Sequence, residues 1–162
     1  MKNKIILLAG DPNSVNSELI YKVWKKIKPS IKRQIYLISN FNLFDKQLKK
    51  LKIKIPLNKI KDINKKNSTN KLKIVNVPLN FKKPFNIPVN VARKYLNKSF
   101  NLAHILAQNK KVKGLINCPL DKRLLHKSKI IGVTELLSSK CKLKKGSEVM
   151  FIHNDKLSVV PL

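Results

Sequence analysis

Two turns far apart in the sequence carry polar side chains that could bind a small molecule. The first, GDP at residues 10–12, follows an apolar run and brings the Asp11 carboxylate, with Glu18 further along the chain. The second follows another apolar run and brings the Asn117 amide and the Lys122 amine. In open α/β sheets such turns lie at the carboxyl ends of strands, where ligands bind. These four side chains are therefore predicted to line a cleft.

A third turn, GVTE at residues 132–135, opens a helical pattern. It places the Thr134 hydroxyl and unpaired backbone N–H groups at a helix start, which favours an anion such as a phosphate. Thr at a helix N-cap is also ordinary structure, so this turn is a weak signal by itself. Neither GxxxxGK[ST] nor GxGxxG occurs in the chain, so the sequence contains no standard phosphate loop or dinucleotide fingerprint.

Alternating strand and helix patterns predict the scaffold that must position these turns. Short apolar runs predict buried strands at residues 5–10, 35–39, 72–79 and 114–119. Apolar spacings of three and four predict helices at about 14–28, 41–51, 89–109 and 134–142. Lysines alternate with apolar residues between 51 and 63, which is typical of a sheet edge. The predicted fold class is α/β, a mixed sheet with helices on both faces in a single unit.

The net charge of +28 suggests a polyanion partner, but the type of base argues against it. The chain has 33 Lys and only 3 Arg, and they are spread along the sequence. Groove and phosphate recognition relies on the Arg fork, and a genome rich in A/T codons would produce such a lysine excess without selection for binding. We do not expect nucleic acid as a partner, although a basic nucleic-acid-binding protein stays open as an alternative.

Two further features bear on the compartment of the protein. Asp11 ends the first apolar run too early for a signal peptide, and no stretch approaches the ~20 apolar residues of a membrane span. Cys118 and Cys141 form no CxxC pair, which favours free thiols in a reducing environment. We expect a cytoplasmic protein without membrane contact.

Taken together, the three turns resemble the 4-hydroxythreonine-4-phosphate dehydrogenase family. The family order is GDPxxxxxE near the amino end, a strand that leads into a PxxK turn, and GHTE at the start of a helix. The closing segments VMFIHN and KLSVVPL also resemble the strand pair that follows GHTE in this family. The matching residues are Gly10, Asp11, Pro12, Glu18, Pro119, Lys122, Gly132, Thr134 and Glu135.

The resemblance implies a fold like that of isocitrate and isopropylmalate dehydrogenases, in which this chain forms one part of a two-lobed homodimer. It implies an oxidoreductase that uses NAD and a divalent metal to oxidise and decarboxylate 4-phosphohydroxy-L-threonine in pyridoxal phosphate biosynthesis. Thr134 and the residue at Val133 would then contact the small phosphorylated substrate. The catalytic residues stay unknown, and the metal ligands are expected beyond residue 162, with none in this chain.

The resemblance covers the whole chain but only the amino-terminal half of the family protein. We therefore expect residues 1–162 to be one α/β unit of a longer dehydrogenase that lacks its carboxyl-terminal lobe and is inactive alone. Two departures matter: Val133 stands where the family has His, and SVNSE at residues 14–18 replaces GIGPE. The first departure leaves a catalytically inactive paralogue as a further alternative.

Overall fold

The computed structural model of this chain describes residues 3–65, 69–125, 132–141, 144 and 147–160. They divide into two compact units, Met1–Leu124 and Leu125–Leu162. The strands of the first unit are β1 (Lys4–Leu8), β2 (Ile35–Ser39), β3 (Leu57–Ile60), β4 (Leu72–Asn76) and β5 (Val112–Asn117). Its helices are α1 (Asn16–Lys26), α2 (Pro29–Lys32), α3 (Phe41–Lys50) and α4 (Val89–Ala107). A short 3-10 helix, Lys122–Leu125, lies at the boundary between the units.

The five strands form one sheet in the order β3-β4-β2-β1-β5, and every neighbouring pair is parallel. The predicted α/β class is confirmed, and so is the lysine-rich strand β3 at a sheet edge. Antiparallel strand pairing occurs, among the described residues, in a separate two-stranded hairpin. The sheet is thus more uniform than the predicted mixed sheet, because each connection between its strands is a helical crossover or a long loop.

Helices cover both faces of this sheet. The chain moves from β1 toward β3 through α1 and α3, then crosses back through α4 to β5 on the other side of β1. Since such crossovers are right-handed, α4 lies on the face opposite to α1 and α3. Trp24 of α1 and Phe44 of α3 pack with Leu37 of β2 in one core cluster, while Leu96 and Phe100 of α4 are fully buried.

Helix α1 buries only part of the face that its apolar spacing predicts. The spacing predicts Val15, Leu19, Val23, Trp24 and Ile27 as the apolar positions. Trp24 is buried and Ile27 packs against the core, but Val15, Leu19 and Val23 are 69%, 40% and 46% exposed. The buried face instead contains Asn16, Ser17, Ile20 and Trp24. The sequence suggests Ser14 or Asn13 as the N-cap of this helix, but the helix begins at Asn16 with Val15 at the N-cap. The Ser14 hydroxyl instead accepts from the Asn16 N–H at 3.2 Å.

The second unit contains α5 (Val133–Lys140), β6 (Ile152–His153) and β7 (Ser158–Val159). The sequence predicts that Asn154 and Asp155 join the last two strands as a hairpin turn, and this is confirmed, because β6 and β7 pair and the Asn154 side-chain oxygen accepts hydrogen bonds from the Lys156 and Leu157 N–H groups at 2.8 Å. The predicted end of the first short helix at His126 and the predicted helix end at Lys142 lie outside the described residues. In the described part of the chain, no helix is both long enough and apolar enough to cross a membrane.

Lys73 is a fully buried lysine in β4. Its ammonium donates to the Arg33 carbonyl at 2.8 Å and lies 4.7 Å from the centre of the Tyr36 ring. Burial, followed by the nearby Arg33 charge, lowers the pKa of Lys73 from 10.5 to about 8. The carbonyl and the ring therefore compensate only part of the cost of burying this charge.

This burial predicts a pH-dependent stability. Between pH 8 and 10.5 the unfolded chain binds a proton at Lys73 that the folded chain has released, so the free energy of unfolding should rise with pH across that window. Lys73→Met should remove about 2–3 kcal/mol of this rise, measured by urea unfolding at both ends of the window. Lys71→Met, at an exposed lysine beside it, is the control. An equal pH dependence in both variants would contradict the assignment.

Candidate functional site at the carboxyl ends of β1 and β5

The direction of the chain reverses between β1 and β5. From β1 the chain proceeds toward β3, whereas β5 is added on the opposite side of β1. In open α/β sheets the crevice at the carboxyl ends of such a strand pair is the usual place for a ligand. The first two turns singled out by the sequence follow these two strands, so the structure brings them to the same crevice.

Gly10 allows the two turns to approach each other. Its φ is +74°, a left-handed conformation that residues with a Cβ rarely adopt. A Cβ at this position would lie 3.0 Å from the Pro119 carbonyl oxygen and 3.2 Å from that of Cys118. Both the backbone angle and the close approach therefore require glycine.

The Asn16 side chain joins the two turns directly. Its Nδ2 donates to the Ala9 carbonyl and to the Pro119 carbonyl, both at 2.7 Å. Asn16 is 3% exposed, and its Oδ1 is buried without a hydrogen-bond partner. This amide thus fixes the spacing between the carboxyl ends of β1 and β5.

Asp11 and Glu18 both make local structural contacts. The Asp11 carboxylate accepts from the Asn13 N–H at 2.8 Å, and the Asp11 carbonyl accepts from the Ser14 hydroxyl at 2.8 Å. Glu18, in the first turn of α1, pairs with Lys22 at 2.7 Å, an exposed pair of small energetic value. Asp11 follows β1 with one carboxylate oxygen engaged in shaping the turn, and its role as a cleft-lining residue stays a prediction.

The second turn presents its polar groups differently. Asn117, the last residue of β5, and Lys122 are exposed, and Lys122 has no ion pair among the described carboxylates. Asp121 pairs with Arg123 at 2.7 Å, and hydrogen bonds from Arg123 lower the pKa of the Asp121 carboxyl. An ionised, paired carboxylate is a poor proton donor at neutral pH. Lys122 is therefore available to a ligand, and so is Asn117, whose amide nitrogen makes only a long hydrogen bond of 3.4 Å to the Cys118 carbonyl.

Cys118 lies between Asn117 and Lys122 in the sequence, but its thiol is unreactive. The side chain is buried, and burial raises the pKa of its thiol to about 11. Because the thiolate is the nucleophile, a protonated thiol contributes packing rather than catalysis.

The third turn belongs to the second unit. Gly132 is the N-cap of α5, so Val133 and Thr134 are the first two helical residues. Thr134 is therefore not the N-cap of this helix. Thr134 is exposed and Val133 is half-buried. The Glu135 carboxylate has one buried oxygen without a hydrogen-bond partner.

Sequence reasoning missed two asparagines that organise the first turn. Asn16 joins the two strand ends, and Asn13 donates to and accepts from the Ile87 backbone at 2.9 and 2.8 Å. Asn16 lies in the SVNSE segment that replaces the family's GIGPE. This departure was the sequence signal that could have pointed to a structural role for Asn16. It also missed Arg93, whose Nη2 donates to the Arg123 carbonyl at 3.3 Å and whose Nε is buried without a partner.

The described residues offer no metal site. No three of their His, Cys, Asp and Glu side chains lie close enough to share an ion. A divalent cation needs several such donors at once. The residues described therefore do not fit the divalent metal that the resemblance implies, and they supply no dinucleotide loop.

The fold and the crevice define an α/β protein with a ligand edge at the switch point of a parallel sheet. The model of the family described as "Pyridoxal phosphate biosynthetic protein PdxA" matches residues 30–162. The chain therefore belongs to this family. The first turn, at residues 10–12, precedes the matched range.

Solved structures show the same fold. The chain resembles 4-hydroxythreonine-4-phosphate dehydrogenases from Klebsiella pneumoniae (20% identity, TM-score 0.79, 98% of this chain and 50% of that one) and Burkholderia phymatum (19%, 0.75, 99% and 49%). A Salmonella typhimurium protein provisionally assigned to the same activity gives 19% identity and a TM-score of 0.82, over 98% of this chain and 50% of that one. This chain thus spans about half the length of these proteins. None of the curated proteins matches it.

Proposed function

We propose that this chain is the amino-terminal part of a dehydrogenase that oxidises and decarboxylates 4-phosphohydroxy-L-threonine in pyridoxal phosphate biosynthesis. The observation that carries the proposal is the family match over residues 30–162, supported by a fold likeness over 98% of the chain. The relatives are about twice as long, which supports a second lobe that supplies the metal ligands and most contacts to NAD. The whole enzyme would be a cytoplasmic homodimer, and the 162-residue chain would be inactive alone.

Within this proposal, the chain contributes substrate contacts. Thr134 is exposed at the start of α5, where its hydroxyl and the free N–H groups of the first helical turn suit an anionic substrate group. In the crevice between β1 and β5, Asn117 and Lys122 would be the groups open to a ligand, since neither is committed to an ion pair. Asp11 and Glu18 would line the cleft mainly by shaping its first wall, because both already have local partners.

Activity of the full-length gene product tests the proposal. With 4-phosphohydroxy-L-threonine, NAD and a divalent metal, NADH formation is expected. Thr134→Ala should lower kcat/KM about tenfold or more, because a hydrogen bond to the substrate is lost. Ser139→Ala removes a hydroxyl from the other end of the same helix and should leave the rate unchanged. Absence of NADH from a folded, metal-loaded protein would refute the proposed reaction.

One observation favours a second candidate, a paralogue without catalytic activity. Val133 lacks the polar side chain that the family places beside Thr134. If the full-length wild type is inactive and its Val133→His variant forms NADH, the residue at this position accounts for the lost activity. If the wild type already forms NADH and Val133→His changes mainly KM, the site has adapted to a related substrate. The hypothesis of an inactive paralogue is then wrong.

A further inference from the structure

A lysine-lined groove runs between α4 and the connection that follows β4. It consists of two adjoining hollows of about 600 and 330 Å³, which share Asn80 and Val91 in their walls. The groove follows the carboxyl end of β4 and includes no residue of the Gly10 or Asn117 turns. It is therefore separate from the crevice between β1 and β5.

The charge of this groove is strongly positive. Lys82 and Lys83 line the larger hollow, and Lys94 and Lys98, one helical turn apart on α4, line the smaller one. No carboxylate lines either hollow, and none of these four lysines forms an ion pair with a described carboxylate. Ammonium groups gathered around one concave surface raise the local concentration of anions.

The floor of the groove is apolar and fixed. Phe81, Pro88 and Val91 line the larger hollow, and Tyr95 lines the smaller one. Tyr95 is 3% exposed, and its hydroxyl oxygen accepts a hydrogen bond from the Asn40 N–H at 2.9 Å, which holds the ring in place. An apolar floor with a few charged groups at the rim is the usual composition of a small-molecule site.

The connection that carries two of the lysines is held in a strained conformation. Lys83 and Asn86 pair across a tight turn in which Phe85 has a φ of +65°, an outlier for a bulky side chain. The Asn13 amide exchanges two hydrogen bonds with the Ile87 backbone and anchors this turn. Strain of this kind persists only where surrounding contacts enforce it, and it is concentrated at ligand sites. The lysines therefore project from a preorganised loop.

We propose that this groove binds a small molecule that carries a phosphate monoester on an apolar body. Its volume lies in the range of small-molecule pockets, and its lysines match the charge of a phosphate. A nucleic-acid strand fits less well, because the ammonium of Lys46 already lies 5.2 Å from the centre of the Phe81 ring and Tyr95 is buried, so the groove offers no row of open aromatic rings on which successive bases could stack. The proposal does not depend on the dehydrogenase function.

Phenyl phosphate is a suitable probe, titrated into the chain by calorimetry and amide NMR in about 0.15 M salt. Lys82→Gln with Lys83→Gln should raise its Kd about tenfold, since two charged contacts are lost. Lys25→Gln with Lys26→Gln removes the same charge from exposed positions on α1 and should change the Kd less than about twofold. Equal weakening in the two double variants would overturn the proposal, because it would reflect net charge alone.

Two further probes test the apolar part of the site. Val91→Ser should weaken phenyl phosphate but not inorganic phosphate, and equal effects on both would contradict an apolar contact. Amide shifts should be centred on residues 79–98, and shifts centred elsewhere would also refute the assignment. If phenyl phosphate does not bind but a single-stranded oligonucleotide does, and Lys82→Gln with Lys83→Gln abolishes that binding, the groove serves a polyanion and the proposal is wrong.

Discussion

Asn16→Asp is expected to lower the free energy of unfolding by about 3 kcal/mol or more at neutral pH. The Asn16 amide donates to the Ala9 and Pro119 carbonyls at 2.7 Å inside a buried contact. An aspartate has the same shape, but it would place a carboxylate oxygen against two carbonyl oxygens. The loss therefore combines the missing hydrogen-bond donor with the repulsion of a buried charge, with little change in packing, and urea unfolding followed by Trp24 fluorescence reports it.

The pH dependence of the free energy of unfolding of this variant distinguishes the effect of the new charge from that of the lost hydrogen bonds. The repulsion raises the folded-state pKa of the new carboxyl above its ordinary value of about 4, so the folded state holds a proton that the unfolded state releases. The free energy of unfolding of Asn16→Asp, relative to the wild type, should therefore fall as the pH rises above about 4. Asn16→Ala also loses both hydrogen bonds, but its difference from the wild type should not change with pH. Identical profiles for the two variants would contradict the geometry.

Gly10→Ala is expected to cost about 2–4 kcal/mol. The left-handed backbone angle of +74° penalises any Cβ by about 1–2 kcal/mol. The contact of 3.0 Å with the Pro119 carbonyl adds the cost of pushing the two turns apart. Because the same contact sets the spacing of the crevice, the substitution should also weaken any ligand bound there.

Gly114→Ala is the matched control for this prediction. Gly114 lies in β5, its φ is not left-handed, and a Cβ there would meet nothing within 4 Å. Alanine at this position should be neutral or stabilise the protein by up to about 1 kcal/mol, because it lowers the conformational entropy of the unfolded chain. If both glycine variants lose equal stability in thermal or urea unfolding, the special role of Gly10 is refuted.

Local sequence signals predicted most of the elements. β2 occupies residues 35–39 and α3 occupies 41–50, close to the predicted bounds, because each begins and ends at a strong local signal. One such signal is Asn40, whose side chain accepts from the Leu43 N–H and caps α3. The predicted helix at about 89–109 is α4. Its spacing predicts six inward-facing residues, of which Tyr95, Leu96 and Ala103 are buried, while Val91, Leu102 and Leu106 are half-buried.

Side-chain direction on α1 could not be obtained from spacing alone. The helix carries two apolar stripes side by side, one with Leu19 and Val23 and one with Ile20 and Trp24. The spacing argument combined residues of both stripes, since it placed Trp24 and Ile27 together with Leu19 and Val23. The sheet buries the stripe with Ile20 and Trp24, because the same face carries Asn16 to the carbonyls of the two turns. A hydrophobic pattern cannot predict that a polar residue such as Asn16 lies on the buried face.

The sequence by itself determined the class of fold, the family resemblance and the positions of the three polar turns. These depend on composition, local periodicity and motif residues, which a linear chain already contains. Only the tertiary structure decided that β1 and β5 are neighbours, that Asn16 joins their turns across 103 residues of sequence, and that Asn13 anchors the strained loop of the lysine groove. Contacts of such sequence separation exist only once the sheet order is set, and that order is fixed by the burial of both sheet faces rather than by any local segment.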